Sequence, residues 1–297
     1  MYSKTMISTS IKDFCKAKTY EQRIAAATQV ISDTGCIVIG AGAGLSTAAG
    51  LEYSGNRFTE NMKPFIQKYG FKDMYTAGFY PFQTQEERWA YWAKHISMNR
   101  YEPPATELYI KLLQLIKGKD YFVITTNVDG QFRKAGFDTD KLFEVQGNYG
   151  LFQCQHACHD TLYYNEDAIK KMVSETVDCR IPSSLVPKCP ECGGNMSPHL
   201  RIDQYFVQDT HWYKSHADYG KFLSKVNGTV VFLELGVGYN TPGVIRYPFE
   251  QMVYHNPDTT LIRINKDYPD VMVENKKSTI AFREDIRRVI ANISQTI

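Results

Sequence analysis

Long apolar runs are missing from this chain of 297 residues. No stretch approaches the roughly 18 consecutive apolar residues that a membrane-spanning helix needs, so the sequence predicts no membrane segment. An excess of one charge is missing too, since 34 basic residues face 32 acidic ones, for a net charge of +2. Bulk electrostatics therefore gives no reason to expect nucleic acid or a membrane surface as a partner.

The sequence also lacks the features of a secreted protein. Met1–Thr19 is polar and contains no apolar segment followed by a cleavage signal, so we expect no secretory peptide. The seven cysteines are an odd number, unlike a disulfide framework. This usage indicates a reducing compartment and a bound metal, and we predict a cytoplasmic protein.

The usual dinucleotide fingerprint Gly-x-Gly-x-x-Gly is absent, although a related stretch is present. The apolar run Cys36–Ile39 predicts a strand buried on both faces, and alternating glycines follow it as far as Gly44. Ser46 and Thr47 then open a helix. A strand, a glycine turn and a helix start can together hold a phosphate through backbone N–H groups. The alternative is a structural tight turn in which the two hydroxyls only cap the helix.

Helical patterns and short apolar strands alternate along most of the chain. Further strands are predicted at Tyr121–Thr125, Thr229–Leu235 and Thr260–Ile264, and the last helix is expected to begin at Arg283. This alternation predicts an α/β fold with a mostly parallel sheet covered by helices on both faces. Ligands of such sheets bind beyond the carboxyl ends of the strands. Polar or glycine-rich residues follow the strands there, namely Asn127, Asp129, Gly236–Asn240 and Asn265.

The alternation stops in the segment that carries the paired cysteines. Cys154 and Cys158 form one pair, and Cys189 and Cys192 form the other. Two close pairs joined by an intervening segment are typical of a structural zinc site with four thiolates, which leaves no open coordination position. His156 and His159 are possible replacement ligands, but as neighbours of a complete cysteine set they are expected to be polar loop residues.

Three further features have a plain structural interpretation or none. The aromatic residues crowded between positions 60 and 101 are expected to pack within a small helical module rather than to form a ligand cage. Cys15, Cys36 and Cys179 are expected to be ordinary small hydrophobic or loop residues. Glu234 interrupts an apolar strand, and nothing in the sequence accounts for it.

The order of these motifs resembles the sirtuin family. The motifs are Gly42–Leu51, Thr125–Asp129, Val145–Gly147, the two cysteine pairs, Gly236–Pro242 and Ile264–Asn265. The resemblance implies a Rossmann-like NAD-binding domain formed by residues 1–55, 103–150 and 203–297. It also implies a small domain formed by a helical module, residues 56–102, and a zinc-ribbon module, residues 151–202.

The resemblance implies that NAD is consumed as a co-substrate and cleaved between nicotinamide and ribose. The residues whose family position implies NAD contacts are Gly42, Ala43, Gly44, Ser46, Thr47, Arg57, Phe58, Asn127, Asp129, Gln146, Gly236, Gly238, Asn240 and Asn265. Those with implied catalytic roles are Asn127, Asp129, Gln146 and Arg201. The alternatives are a plain turn for Asn127 and Asp129, a surface salt bridge for Arg201, and surface loops for the other two asparagines.

Two departures from the deacylating sirtuins matter. Gln146 stands where those enzymes carry a histidine, which removes a ribose proton, and a glutamine amide does not titrate near neutral pH. Direct attack of a protein nucleophile on the ribose needs no such deprotonation. The loop Glu52–Phe58 also replaces a Pro-Asp-Phe-Arg segment, and Arg57 and Phe58 are expected to supply its arginine and ring.

This combination resembles the macrodomain-linked sirtuins of microbes, called class M. That subgroup implies mono-ADP-ribosylation of a lipoylated carrier protein, similar to the glycine-cleavage H protein, with release of nicotinamide. It also implies a functional link to a macrodomain hydrolase. The alternatives are an NAD-dependent lysine deacylase and a catalytically silent NAD-sensing module.

Overall fold

A computed structural model of the chain describes residues 17–225 and 228–296. Cys15 and most of the polar stretch Met1–Thr19 therefore lie outside the described residues. The helices are α1 (Tyr20–Asp33), α2 (Ala43–Ala48), α3 (Gly55–Asn61), α4 (Lys63–Tyr69), α5 (Met74–Ala77), α6 (Gln85–Ile96), α7 (Glu107–Leu115), α8 (Gln131–Lys134), α9 (Glu166–Ser174), α10 (Thr210–Lys225), α11 (Arg246–His255) and α12 (Ile286–Thr296). A π-helical turn, Ser97–Tyr101, follows α6 directly.

The strands form two sheets. They are β1 (Cys36–Ala41), β2 (Asp120–Thr125), β3 (Leu142–Glu144), β4 (Gly147–Cys154), β5 (Tyr163–Tyr164), β6 (Met196–Leu200), β7 (Val230–Leu235), β8 (Thr259–Ile264) and β9 (Thr279–Phe282). The larger sheet has six parallel strands in the order β3-β2-β1-β7-β8-β9. Numbered within this sheet alone, that is the doubly wound order, which reverses between β1 and β7. The predicted parallel α/β fold is confirmed.

Helices cover both faces of the large sheet. On one face α1, α7 and α12 pack on the strands through a continuous core, and α1 starts at a capping box built by Thr19 and Gln22. The opposite face is covered by α10 and α11, through side chains such as Trp212, Phe222 and Phe249. Both faces are therefore apolar, which is why the strands are continuous apolar runs rather than alternating ones.

The sequence did not reveal the two edge strands. β3 has three residues and β9 has four, too few to show a period. The last helix begins at Ile286 rather than at Arg283, because β9 and the residues after it take up the preceding segment. The structure therefore adds two short strands and moves the predicted start of one helix, while the predicted architecture stays the same.

A smaller part of the molecule, here called the small lobe, comprises α3–α6, the π-helical turn, α9 and the antiparallel sheet β5-β4-β6. One hydrophobic core joins its helices to its strands, and Trp89 of α6 meets Phe152 of β4 edge-on with 4.8 Å between ring centres. Most of the crowded aromatic residues belong to this core, although Tyr75 and Phe79 stay exposed. Among the described residues no helix is long and apolar enough to cross a membrane.

Glu234 takes part in a buried network of charges. It lies opposite Arg263 in the β7–β8 register, and its two carboxylate oxygens accept hydrogen bonds from Nε and Nη2 of Arg263, each at 2.8 Å. Arg263 also lies 2.8 Å from Glu250, and Arg246 lies 3.7 Å from Glu234. All four side chains are less than a tenth exposed. The acidic residue in an apolar strand is thus one half of an ion pair that the fold completes.

Candidate functional site

Two glycine-bearing turns cross at the reversal point of the large sheet. The N–H groups of Gly42 and Gly44 donate to the carbonyls of Leu235 and Gly236, each at 3.0 Å. A Cβ atom on either Gly42 or Gly44 would lie 2.7 Å from Gly236 backbone atoms. The glycines after β1 therefore allow two backbones to touch at the carboxyl edge of β1 and β7, which is where doubly wound sheets have their ligand-binding crevice.

Gly236→Ala is expected to lose stability at this crossing. An added Cβ would lie 2.5 Å from three backbone atoms of Gly44 and Leu45, and Gly236 has a left-handed φ of +62°. Overpacking costs about 1–3 kcal/mol, and the left-handed backbone adds about 1–2 kcal/mol for a residue with a side chain. Urea unfolding measures the sum. The matched control is Gly243→Ala, which meets nothing within 4 Å; equal stabilities of the two variants would contradict the crossing.

Asn127 ties β2 to the glycine turn. Its side-chain amide donates to the carbonyl of Gly42 at 2.9 Å, and its own N–H donates to the Thr125 hydroxyl at 3.0 Å. That hydroxyl donates to the carbonyl of Ala41 at 3.0 Å. Asn127 is buried, and its contact with Gly42 fixes the orientation of its side-chain amide.

Asp129 is a buried carboxylate held by neutral donors. The Ser46 hydroxyl donates to its Oδ2 atom at 2.5 Å, and the N–H of Gln131 donates to its Oδ1 atom at 2.9 Å. The Tyr109 hydroxyl of α7 lies 3.1 Å from Ser46 Oγ. Burial raises the pKa of Asp129, while the two hydrogen bonds oppose that rise. Sequence reasoning missed Tyr109, because it lies among the apolar residues of its helix and resembles them.

Gln146 lies in the turn between β3 and β4 and is partly exposed. Its carbonyl accepts a hydrogen bond from the N–H of Arg201 at 3.0 Å, so these two candidates are neighbours. The Arg201 guanidinium is exposed and lies 5.8 Å from the centre of the Phe206 ring. None of the ion pairs found within residues 17–225 and 228–296 includes Arg201, so the salt-bridge alternative finds no support among them.

Two buried histidines lie near these elements, and three of their four ring nitrogens have protein partners, while the buried Nδ1 atom of His199 has none among the described residues. The ring nitrogens of His95 lie 3.0 Å from the Tyr91 hydroxyl and 2.8 Å from the Tyr149 hydroxyl. Burial lowers the pKa of His95 to about 3, so its ring is neutral at neutral pH. His199 donates through Nε2 to the carbonyl of Val207 at 2.9 Å, and burial lowers its pKa as well.

Arg57 and Phe58 lie on helix α3 rather than on a loop. Phe58 is 1% exposed and belongs to the core of the small lobe, so its ring is not free to cover a ligand. Arg57 donates to the π-helical turn, at 2.9 Å to Asn99 Oδ1 and at 2.5 Å to the carbonyl of Met98. Of this predicted pair, the arginine is thus held by hydrogen bonds and the ring is packed in the core.

The remaining candidates lie at the crevice with different exposure. Asn265 follows β8, is buried, and donates to the carbonyl of Val237 at 2.8 Å, so it braces the turn after β7. Asn240, Ala43 and Thr47 are exposed. Gly238 is partly exposed beside Tyr268. The parallel strands thus bring the predicted glycine, asparagine and aspartate residues to one edge, while the hydrogen bonds of Arg57 go to Glu52, Met98 and Asn99.

The four paired cysteines converge in the small lobe. All four sulfur atoms lie within 4.8 Å of one another, with 3.8 Å between Cys154 and Cys192 and 3.6 Å between Cys158 and Cys189. Tetrahedral zinc with bonds of about 2.3 Å requires sulfur atoms about 3.8 Å apart. The cysteines therefore fit a structural zinc ion. His159 lies outside this set, with Nδ1 3.0 Å from Cys158 Sγ.

The crevice and the cysteine cluster define an α/β protein with a Rossmann-like sheet and a small cysteine-bearing lobe. The model of the Sir2 family matches residues 42–219, which is more than half of the chain. The protein belongs to the Sir2 family.

Curated relatives carry two kinds of name. A "Protein ADP-ribosyltransferase" of Staphylococcus aureus is 37% identical over 262 residues, covering 88% of this chain and 83% of the relative. A "Probable bifunctional ADP-ribose hydrolase/ADP-ribosyltransferase" of Fusarium oxysporum is 31% identical, and the match covers 97% of this chain but 51% of that protein. An "NAD-dependent protein deacetylase" of Clostridium perfringens is 24% identical, covering 89% of this chain and 96% of the relative.

Solved structures agree on the fold. A Sir2 homologue in complex with NAD superposes with a TM-score of 0.57 at 13% identity, covering 92% of this chain and 93% of the other. Sir2Tm bound to a propionylated peptide superposes with a TM-score of 0.58 at 18% identity, covering 92% and 98%. The predicted sirtuin fold is confirmed.

Proposed function

We propose that this protein is an NAD-dependent protein ADP-ribosyltransferase that releases nicotinamide. The observation that carries the proposal is Gln146, an amide in the turn beside Arg201 and at the carboxyl edge of β3. The identity to the named transferase of Staphylococcus aureus supports it. NAD would supply the ADP-ribosyl group, and the glycine crossing, Asn127 and Asp129 are the residues proposed to hold it.

The reaction breaks the bond between ribose C1′ and nicotinamide and forms a bond between C1′ and a nucleophile of the acceptor protein. The acceptor gives up one proton to solvent. Positive charge grows on the ribose as nicotinamide leaves, so the site has to supply orientation and negative potential rather than a base. The Asp129 carboxylate offers that potential, and the fixed amide of Asn127 offers an oxygen for orientation.

The amide of Gln146 fits transfer better than deacylation. It donates and accepts hydrogen bonds but holds no titrating proton near neutral pH. The buried histidines are poor replacements. His95 uses both ring nitrogens on tyrosines, and His199, whose buried Nδ1 atom has no partner among the described residues, is made a weaker base because burial lowers its pKa. A deacylase on this scaffold would lack the general base at position 146, which typically contributes about 10²–10⁴-fold.

We propose a lipoylated carrier protein, similar to the glycine-cleavage H protein, as the acceptor, and a cytoplasmic location. We also propose a functional partnership with a macrodomain hydrolase. The bifunctional hydrolase/transferase name of the Fusarium relative supports that link, since the present chain matches about half of that longer protein. None of the six cysteines among the described residues forms a disulfide, which is compatible with a reducing compartment.

Incubation of the protein with isotopically labelled NAD and the carrier, with and without its lipoyl group, tests the assignment. Transfer adds one ADP-ribosyl mass to the carrier and releases one nicotinamide. A deacylase, the activity named for the Clostridium perfringens relative, would instead release acylated ADP-ribose from an acyl-lysine peptide. A silent sensor would bind NAD and release nothing.

Gln146→Ala is expected to lower transfer by about 10²–10³-fold, the usual cost of one orienting hydrogen-bond donor. NAD binding, measured by calorimetry, should stay largely intact. Gln146→His is expected to gain deacylation if only the base is missing. Gln114→Ala, at an exposed glutamine of α7, is the matched control. Unchanged transfer by Gln146→Ala would remove Gln146 from the site.

A further inference from the structure

The π-helical turn Ser97–Tyr101 brings an arginine to the middle of the molecule. The N–H of Glu102 donates to the carbonyl of Ser97, five residues back, at 2.8 Å. Such turns are rare, and they are frequent at functional sites. Arg100 lies within this one, and its buried Nη1 atom has no hydrogen-bond partner. No ion pair within 4.0 Å includes Arg100 among residues 17–225 and 228–296.

The guanidinium of Arg100 occupies space that two glycines leave open. At Gly130, which has a left-handed φ of +71°, a Cβ atom would lie 1.1 Å from Arg100 Nη1. At Gly150 a Cβ atom would lie 3.2 Å from Nη2 of the same side chain. Gly130 directly follows Asp129 in the chain. The structure thus packs a positive charge against the backbone that carries the buried carboxylate.

Asp129 has no ion-pair partner within 4.0 Å among the described residues. Its hydrogen bonds come from the neutral Ser46 hydroxyl and the Gln131 N–H. Burial raises the pKa of Asp129, and Arg100 is the cation that opposes this rise. The other charged or titratable groups that act on Asp129 are Glu144, which raises its pKa further, Lys134, and the buried Tyr53, Tyr109 and Tyr149.

We propose that Arg100 is a positioning residue that keeps Asp129 ionised in the site. The inference rests on the role proposed above for Asp129 and adds a residue that the sequence motifs do not contain. Arg100 lies in the π-helical turn, and the same turn also holds Arg57 through Asn99 and the carbonyl of Met98. A positive charge from the small lobe, Arg100, thus stabilises the ionised form of Asp129, which follows a strand of the large sheet.

The pH dependence of nicotinamide release tests the proposal. A neutral residue at position 100 removes from the buried carboxylate the cation packed against its backbone and leaves it only Lys134, so the pKa of Asp129 rises and it protonates at higher pH. Arg100→Gln is expected to move the acid limb of the activity profile upwards by about 1–3 pH units, the usual effect of one neighbouring opposite charge. Arg100→Lys should restore most of the profile.

Arg88→Gln is the matched control, since Arg88 on α6 donates to the carbonyl of Met196 and has no contact with Asp129 or Gly130 among the described residues. It is expected to change the height of the profile and leave the midpoint of its acid limb in place. Infrared titration of the Asp129 carboxyl band, identified by its loss in Asp129→Asn, gives a readout that needs no activity. An unshifted acid limb and an unshifted carboxyl band in Arg100→Gln would overturn the proposal.

The two proposals fail in different ways. If the wild-type protein neither bound NAD nor released nicotinamide, the proposed function would be wrong. The infrared titration would still show whether Arg100 lowers the pKa of Asp129. If Arg100→Gln does not fold, Gly150→Ala replaces it. The alanine would crowd Arg100 Nη2 at 3.2 Å and Nε at 3.3 Å, and a smaller upward shift of the carboxyl titration is expected. Arg100→Lys keeps the charge, so its carboxyl titration should stay close to that of the wild type. Absence of the upward shift in Gly150→Ala would contradict the proposal.

Discussion

Serine in place of Cys154 is expected to abolish zinc binding and unfold the small lobe. Cys154 is 0% exposed at the end of β4, and it belongs to the same core as Trp89 and Phe152. Structural zinc sites contribute about 10–16 kcal/mol of apparent binding free energy at neutral pH, which a small lobe cannot replace by packing. A three-thiolate remnant would leave the antiparallel sheet without the link between its cysteine pairs.

Metal analysis of the purified variant and its thermal unfolding measure this effect. Zinc content is expected to fall from one ion per chain to nearly none, with loss of NAD-dependent activity. Cys179→Ser is the control, since Cys179 is buried in the same lobe but lies outside the four-cysteine cluster. Full zinc content in Cys154→Ser, or unfolding that a chelator does not affect, would contradict a structural zinc site at these residues.

Removing the charge of Glu234 is the second change with a large expected effect. In Glu234→Gln, Arg263 and Arg246 would share the single remaining carboxylate of Glu250 in a fully buried setting. Breaking one member of a buried ion network costs about 3–5 kcal/mol, because a charge is left without compensation away from water. Urea unfolding should show that loss in the free energy of unfolding.

An exposed ion pair supplies the comparison. Lys214 and Asp218 on α10 lie 2.9 Å apart at the surface, and Lys214→Ala is expected to cost no more than about 1 kcal/mol. The double variant Glu234→Met with Arg263→Met should recover part of the lost stability, because both charges are then absent. If Glu234→Gln and Lys214→Ala lost the same free energy of unfolding, burial would not be the reason for the contribution of the Glu234 network to stability.

This pair also shows how far the sequence could lead. An acidic residue in the apolar strand β7 was visible as an anomaly, but its partner lies 29 residues further on, in the neighbouring strand. Only the parallel register places Glu234 opposite Arg263, and register depends on the assembled sheet. By contrast, the strand, glycine turn and helix around Gly42 are local in sequence and could be predicted directly.

The candidate site divides in the same way. The residues after β1, β2, β7 and β8 could be brought together from the sequence, because parallel strands end at a common edge. Phe58 was expected beside a ligand, yet Gly55 begins a helix that turns the ring into the small-lobe core. The π-helical turn with Arg100 has no repeating pattern, and its contact with Gly130 joins residues 30 positions apart in chain order.

The crossing of the two glycine turns has a consequence for inhibitor chemistry. Because the backbones of Gly44 and Gly236 are already in contact, there is no space between them for an additional chemical group of a ligand. Dinucleotide mimics should be rejected when they carry extra groups towards that contact. Substituents added to such a mimic should instead point towards Thr47 and Asn240, which are exposed to solvent.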